Sequence, residues 1–213
     1  MNHEPPIELQ PIANLHKNCT NFFEKFHEKH LKNMSCKLGC SKCCYVDISI
    51  FQVEAYIIIN WLYLLDQEKK HKILEQLKAS DNLEQQNTKK SKQKPCVFLH
   101  NDGCSVYEVR PAICRTQGLP LQYKISSDKN QENLAVDVCP LNFTQENSLP
   151  EKAEWLDLDR LNILISIAEN FFHKNKTDSN IILDSKFINN QDRVSLKDLK
   201  KFIINYLENG VIG

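Results

Sequence analysis

Four cysteines lie within nine residues, at Cys36, Cys40, Cys43 and Cys44. Thiolates are soft, strong donors to zinc and iron, so a reduced cluster of this density is typical of a metal site. The chain has nine cysteines in total, and an odd number fits a disulfide framework poorly because one thiol is left unpaired. We therefore interpret the cluster as a metal-binding element rather than as a set of disulfides.

A second group of cysteines follows at Cys96, Cys104, Cys114 and Cys139. The Asn-Asp-Gly sequence at 101–103 predicts a tight turn that brings Cys96 and Cys104 near each other. Eight thiols in two blocks are enough for either two four-sulfur sites or one binuclear cluster.

The adjacent residues Cys43 and Cys44 bear on that choice. Neighbouring side chains of an extended backbone point to opposite sides, which favours binding of the two thiols to different ions or to a shared cluster. We therefore expect two metal ions. Lys37 and Lys42 lie beside the cluster and can offset the negative charge of four thiolates.

Two other residues that could bind a metal are left outside the predicted site. Cys19 lies on the apolar stripe of a predicted helix, where a free cysteine is commonly a small buried hydrophobic residue. His100 lies between two cysteines of the second group and is an alternative ligand, although a histidine in a turn is more commonly exposed.

Apolar residues recur at the spacing of amphipathic helices over much of the chain. Five helices are predicted, and the first covers about 13–32. The second is opened by a capping box of Ser49 and Gln52 and runs to about Leu65, and the third covers about 67–85. The fourth covers about 157–174 and is capped by Asp157, and the last is opened by Ser195 and Asp198 and ended by Gly210. Their predicted buried faces include Phe22 and Leu31 in the first helix and Leu164 and Phe171 in the fourth.

Two short alternating segments, 121–125 and 134–138, flank a polar turn. They predict a β-hairpin that returns Cys139 toward the cluster. The predicted fold class is therefore mainly α, with a small irregular cysteine-rich metal-binding subregion and a short β-hairpin.

The length of 213 residues and the hydrophobic content of 41% suit one domain over residues 1–213. We expect the metal-binding region at about 36–139 and a helical C-terminal part at about 155–213. Residues 87–94 contain no apolar side chain and predict an exposed linker with four lysines.

Charge and hydropathy exclude several function classes. Lys plus Arg equals Asp plus Glu at 27 each, so the chain lacks the basic excess of a nucleic-acid-binding protein. The longest apolar run, 56–65, is about half of a bilayer span and is interrupted by Asn60, so we expect a buried helix and no membrane insertion. The N-terminus has no secretory signal pattern, which predicts a cytoplasmic protein with reduced thiols. The common hydrolase motifs are absent from the sequence.

Two motifs resemble those of the family with a CxxCxxCC cysteine cluster, described as a zinc- or iron-chelating domain. The first is Cys36-x3-Cys40-x2-Cys43-Cys44, with three rather than two residues in its first interval, and the second runs from Pro95 to Arg115. The resemblance covers about residues 36–139. It implies metal chelation by Cys36, Cys40, Cys43, Cys44, Cys96, Cys104 and Cys114, with Cys139 as an eighth ligand.

The hypothesis is a metal-binding protein that chelates zinc, or alternatively iron, and serves as a structural metal site, a metal carrier or a platform for a protein partner. The alternative is an iron-sulfur-dependent enzyme of redox or methyl transfer. Its basis is the Cys-x3-Cys-x2-Cys spacing of radical S-adenosylmethionine enzymes, and a flagellin lysine methylase is similar to the family. Against it, the chain shows no succession of strands and helices for a barrel, and Cys44 adds a fourth thiol.

Two arginines, Arg110 and Arg115, lie within the second motif. Guanidinium groups there could bind a carboxylate or a cofactor, or steady thiolate charge through hydrogen bonds. We expect the structural role for both, and local packing or pairing for Tyr107 and Glu108.

Overall fold

The protein is described by a computed structural model over residues 4–86, 94–127, 131–175 and 193–209. Helices dominate these ranges, which confirms the predicted mainly α fold. The α-helices are α1 Gln10–Lys29, α2 Gln52–Leu64, α3 Gln67–Gln86, α4 Ala112–Thr116, α5 Leu158–Asn175 and α6 Leu196–Asn209.

The strands are short and form three small sheets within the described residues. They are β1 Ser49–Phe51, β2 Leu99–His100, β3 Gly103–Cys104, β4 Leu121–Ser127, β5 Gln131–Asp137, β6 Leu156–Asp157 and β7 Arg193–Ser195. Strands β1 and β7 pair antiparallel, as do β2 and β3, while β4 pairs antiparallel with β5 and parallel with β6. The predicted hairpin is confirmed as β4 and β5.

Helix α2 lies at the centre of the main hydrophobic core. Val53, Ile58 and Leu62 are completely buried on it, and α1, α5 and α6 pack around it. A helix that is apolar on nearly all sides needs such an enclosure. No described helix combines the length and the apolar composition that a bilayer crossing requires.

A buried carboxylate, Glu54, joins three helices at the edge of this core. Its Oε1 accepts a hydrogen bond from the Ala112 backbone N–H at the start of α4, at 2.8 Å, and lies 3.1 Å from Nε2 of His16 on α1. Only 2% of Glu54 and 3% of His16 is exposed. Because a buried charge is costly without hydrogen-bond partners, these contacts fix the relative positions of the three helices.

The predicted capping box of Ser49 and Gln52 is wrong. Ser49 lies in β1 opposite Ser195, so it forms part of a strand and not the end of a helix. The helix begins after Phe51, whose backbone N–H donates to Oε2 of Glu54 at 3.2 Å. Strand pairing has therefore moved the helix start by two residues relative to the local pattern.

Two other predicted caps are confirmed. Asp157 accepts a hydrogen bond from the Arg160 backbone N–H at 2.9 Å at the start of α5. Ser195 accepts one from the Asp198 backbone N–H at 3.1 Å at the start of α6. The predicted terminator Gly210 and residues 87–93 of the predicted linker lie outside the described residues.

Four residues predicted to be buried are exposed: Phe22, Leu31, Leu164 and Phe171. Leu31 follows the end of α1 at Lys29, so the helical period no longer places it on the apolar face. The other three lie at the margins of apolar stripes that are wider than the surfaces covering them. The predicted burial of Cys19 is confirmed, at 6% exposure.

The hydrogen bonds of the Glu54 carboxylate predict that its removal causes a large loss of stability. Replacement Glu54→Ala leaves the Phe51 and Ala112 N–H groups without their acceptor and removes the partner of His16. We expect the free energy of unfolding to fall by about 3–5 kcal/mol in urea titrations. Glu75→Ala is the matched control, because Glu75 is 69% exposed on α3, and it should change the midpoint little. Equal midpoints for both variants would contradict this role of Glu54.

Candidate metal centre

The first cysteine segment, 36–44, is held by two successive turns. The Cys40 backbone N–H donates to the Lys37 carbonyl at 3.0 Å, and Gly39 in this turn has φ of 84°, a left-handed conformation that favours glycine. A 3-10 helix over Lys42–Tyr45 follows and carries Cys43 and Cys44. Backbone geometry thus keeps the four cysteines of this segment close in space.

The second segment approaches the first through backbone hydrogen bonds. The Cys96 N–H donates to the Cys44 carbonyl at 2.6 Å. Strands β2 and β3 form the predicted tight hairpin, in which Asn101 and Asp102 have φ of 48° and 58°. Ser41 also donates through its hydroxyl to the Asp102 carboxylate at 3.0 Å. These contacts place the hairpin beside the first cysteine segment.

Four thiols lie close enough to interact electrostatically. We call them the Cys114 group: Cys43, Cys96, Cys104 and Cys114. Burial raises the pKa of the Cys114 thiol, and repulsion from the Cys96, Cys104 and Cys43 thiolates raises it further. Burial raises the pKa of Cys96 to about 11, with Cys104 and Cys43 adding to the effect. Without a cation, this group is therefore strongly biased toward neutral thiols.

Three further thiols form the Cys36 group: Cys36, Cys40 and Cys139. Strand β5 ends at Asp137 and returns the chain to Cys36 by way of Cys139. Burial raises the pKa of the Cys36 thiol, a hydrogen bond from Asn142 lowers it, and repulsion from Cys139 and Cys40 raises it again. The antiparallel hairpin is what brings the last cysteine of the sequence to the first cysteine segment.

The structure corrects the expected geometry at Cys43 and Cys44. Their backbone is a 3-10 helix and not extended, because it completes the turn that begins at Ser41. A side-chain hydrogen bond with Cys44 is the largest of the effects that raise the pKa of the Cys43 thiol. Cys43 also raises the pKa of Cys36, so this member of the Cys114 group lies near the Cys36 group as well. Alternation along a strand therefore gives no support for two ions.

Asn142 and Gly118 support Cys36, and neither role is predicted by a local sequence pattern. The Asn142 amide donates to the Cys36 sulfur at 3.3 Å and to the Gly118 carbonyl at 2.9 Å, and its oxygen accepts from the Ser35 N–H at 2.8 Å. Only 3% of Asn142 is exposed. A Cβ atom on Gly118, which has φ of 98°, would lie 2.5 Å from the Cys36 sulfur. The sulfur thus occupies the space that any other residue would fill.

Arg110 is a cation that acts on two thiols of the Cys114 group. Its charge lowers the pKa of Cys43 and Cys104, against the larger effect of burial. The guanidinium lies 3.8 Å above the Tyr107 ring and donates to the Tyr107 carbonyl at 2.9 Å. These contacts hold the charge near the Cys114 group, as the predicted structural role requires.

The other candidates make no hydrogen bond with a thiol among the described residues. Lys37 and Lys42 are exposed, and so is His100, whose Nε2 lies 3.1 Å from the amide nitrogen of Asn101. Arg115 donates to two backbone carbonyls and to Thr20. Predicted charge compensation by the two lysines thus has no counterpart in the contacts of the described residues.

The donor set fits a thiolate-bound metal. All nine cysteines are free thiols, and the eight predicted ligands are partly buried while Cys19 lies in the core. A zinc or iron ion would offset the burial and the mutual repulsion that raise the pKa of Cys36, Cys96, Cys104 and Cys114. Across the described residues, no three Cys, His, Asp or Glu side chains are already arranged to hold an ion. Binding would therefore require some of these side chains to move.

A family model agrees with this arrangement. The CxxCxxCC model, described as "Putative zinc- or iron-chelating domain", matches residues 35–140. The matched range contains the eight predicted ligand cysteines and excludes Cys19. Neither the curated proteins nor the solved structures contain a significant match to the chain.

The contact between Gly118 and Cys36 predicts that one methyl group added at residue 118 reduces both stability and metal binding. Replacement Gly118→Ala places Cβ 2.5 Å from the sulfur and imposes a left-handed conformation on alanine. We expect a loss of more than about 2 kcal/mol in the free energy of unfolding, together with less bound metal. Urea titration and elemental analysis measure the two quantities.

The matched control is Gly103→Ala. At this position the new Cβ meets only the His100 carbonyl, at the ordinary distance of 3.5 Å. Metal content should then remain that of the parent chain. Equal metal content and stability in the two glycine variants would show that Gly118 has no special role.

Proposed function

Because the chain belongs, through residues 35–140, to the CxxCxxCC family, we propose that it binds two zinc ions through its cysteines. The observation that carries this proposal is the division of the thiols into the Cys114 group and the Cys36 group. The Cys114 group already contains four thiols, and Cys44 would bring the Cys36 group to four. Four-thiolate zinc is tetrahedral and closed, and such sites are structural.

The secondary structure around the cysteines supports a structural role. Between α1 and α2, the chain contains only 3-10 helices and the short strand β1. Between residues 94 and 120, it contains only the two-residue strands β2 and β3, a 3-10 helix and the five-residue helix α4. Such segments gain little stability from their own hydrogen bonds. Metal binding free energy would then serve as folding free energy for this part of the protein.

Exposed apolar residues support a further role as a platform for a protein partner. Leu38 lies between two cysteines of the first segment and is 99% exposed. Val46 and Tyr107 are exposed beside the two cysteine segments. Apolar side chains on loops that the metal orders could contact a partner only in the metal-bound protein.

We also infer one domain and a cytoplasmic location. Support for one domain comes from the main core, which draws residues from α1, α2, α5 and α6 and packs against Cys96 and Cys104. Support for a reducing compartment comes from the nine cysteines, all of which are free thiols. In an oxidising compartment, neighbouring thiols such as those of the Cys36 group would be candidates for disulfide formation.

The alternative function is an iron-sulfur-dependent enzyme, and one observation favours it. The Cys36-x3-Cys40-x2-Cys43 spacing matches the ligand spacing of radical S-adenosylmethionine enzymes. The described sheets have only two or three strands, which is less than the barrel of those enzymes requires. We therefore retain zinc as the first choice.

Metal content distinguishes the two functions. Protein purified without oxygen and without added metal should contain about two zinc ions per chain, with no visible absorption, because zinc has a filled d shell. Elemental analysis and an absorption spectrum of the full chain measure this. Brown protein that contains iron and acid-labile sulfide would instead establish the iron-sulfur alternative.

Ligand substitution tests the assignment of the thiols. Cys43→Ser and Cys114→Ser should each lower the zinc content by about one ion and reduce the melting temperature, because bound metal contributes to folding. Cys19→Ala is the control, since Cys19 lies in the core outside both groups, and it should lower stability with zinc content unchanged. Unchanged zinc content in both serine variants would remove Cys43 and Cys114 from the site.

A further inference from the structure

A cavity of about 320 Å³ opens beside α1, on the side where α2 and the segment 108–115 approach it. Its volume lies at the lower end of the range for small-molecule sites. The cavity is lined by α1 residues between Ala13 and Asn21, by Ile57 of α2, and by residues 108–115. The thiols of the Cys36 and Cys114 groups do not line it, so it is distinct from the proposed metal centre.

Arg115 is the most informative residue of the cavity wall. The residue is only 9% exposed, yet its hydrogen bonds go to neutral acceptors: the Arg110 carbonyl at 2.7 Å, the Glu108 carbonyl at 2.6 Å and the Thr20 hydroxyl at 2.8 Å. Within the described ranges, no carboxylate forms an ion pair with it. Buried charges are normally paired, and although the Glu54 carboxylate and the Cys19 and Cys114 thiolates attract the Arg115 charge, none of them accepts a hydrogen bond from it in the described structure.

The other polar groups of the wall also suit an anion. His16 lines the cavity and is 3% exposed, and its second ring nitrogen has no hydrogen-bond partner among the described residues. Lys17 and Asn21 lie on the exposed side of the wall. The single carboxylate, that of Glu108, accepts a hydrogen bond from the Trp61 indole at 3.2 Å and limits how much negative charge the site can hold.

We propose that this cavity binds a small organic carboxylate, with the carboxylate on Arg115 and an apolar body against Ala13, Ile57 and Val109. A guanidinium presents parallel N–H donors that match a planar carboxylate. Arg115 has five N–H donors, and its hydrogen bonds with the protein use three. A phosphate dianion would face one buried cation and the carboxylate of Glu108, so a monoanion is favoured.

This inference goes beyond the proposed metal function and does not depend on it. Cys114 precedes Arg115 in α4, so a bound ligand would contact the residue next to a predicted metal ligand. The carboxylate site and the metal centre would thus lie on two sides of the same short helix. The competing explanation is that Arg115 only balances thiolate charge, and the experiment below separates the two.

The experiment is a titration of the zinc-loaded full chain with benzoate and with hexanoate, followed by ¹H–¹⁵N NMR spectra. We expect saturable shifts of the Arg115 Nε–Hε signal and of the Thr20 and Val109 amides, with dissociation constants below about 10 mM. Benzamide and hexanamide, which have the same shape without the charge, should bind at least about tenfold more weakly. Binding of neither carboxylate, equal binding of the amides, or binding of inorganic phosphate in their place would each overturn the proposal.

Three variants complete the test. Lys17→Glu should weaken benzoate binding about threefold to tenfold, because it adds a negative charge to the cavity wall. Lys25→Glu is the matched control, because it makes the same charge change on α1 outside the cavity. Equal affinities for these two variants would overturn the site. Arg115→Lys should abolish saturable binding because it removes the planar fork, and Lys17→Glu carries the test if that variant does not fold. Zinc content, measured for each variant, keeps loss of the metal distinct from loss of the carboxylate site.

Discussion

Close packing of thiols without an opposing charge is the constraint on which the cysteine-rich half of the protein depends. Each thiol that ionises makes the ionisation of its neighbours harder, and burial adds to the cost. The backbone nevertheless holds them together through Gly39, the 3-10 helix Lys42–Tyr45 and the hydrogen bond from Cys96 to Cys44. A divalent cation resolves this conflict directly, and for that reason the arrangement is best understood as one completed by metal.

Helix α1 connects this half to the helical core. Its His16 reaches the Glu54 carboxylate, which also holds the first residue of α4. Two residues later in α4 the chain reaches Cys114, and the next residue is Arg115. A shift of α4 would therefore move its contacts with the core, the Cys114 thiol and the wall of the neighbouring cavity together. Helix α1 also contacts the loop that carries Cys36, because the His27 ring donates to the Cys36 carbonyl at 3.0 Å.

The sequence predicted those features that depend on local patterns. Helical periodicity located α1, α2, α3, α5 and α6, and the caps at Asp157 and Ser195 are present. The capping box at Ser49 was wrong because its strand partner, Ser195, lies far away in the chain and local propensity carries no information about it. Likewise, the 3-10 conformation at Cys43 and Cys44 arises from the turn at Ser41, not from a preference of cysteine. The roles of Asn142 and Gly118 depend on packing around one sulfur atom, which only the fold reveals.

The hairpin of β4 and β5 makes the spacing between Cys114 and Cys139 adjustable. Its two strands pair from Leu121 with Asp137 to Ser127 with Gln131, and Cys139 follows just beyond the open end. Adding one residue to each strand would lengthen the ladder at its far end and leave the pairing next to Cys139 unchanged. The hairpin is therefore a natural point for inserting a spectroscopic label or an affinity tag without changing the position of Cys139.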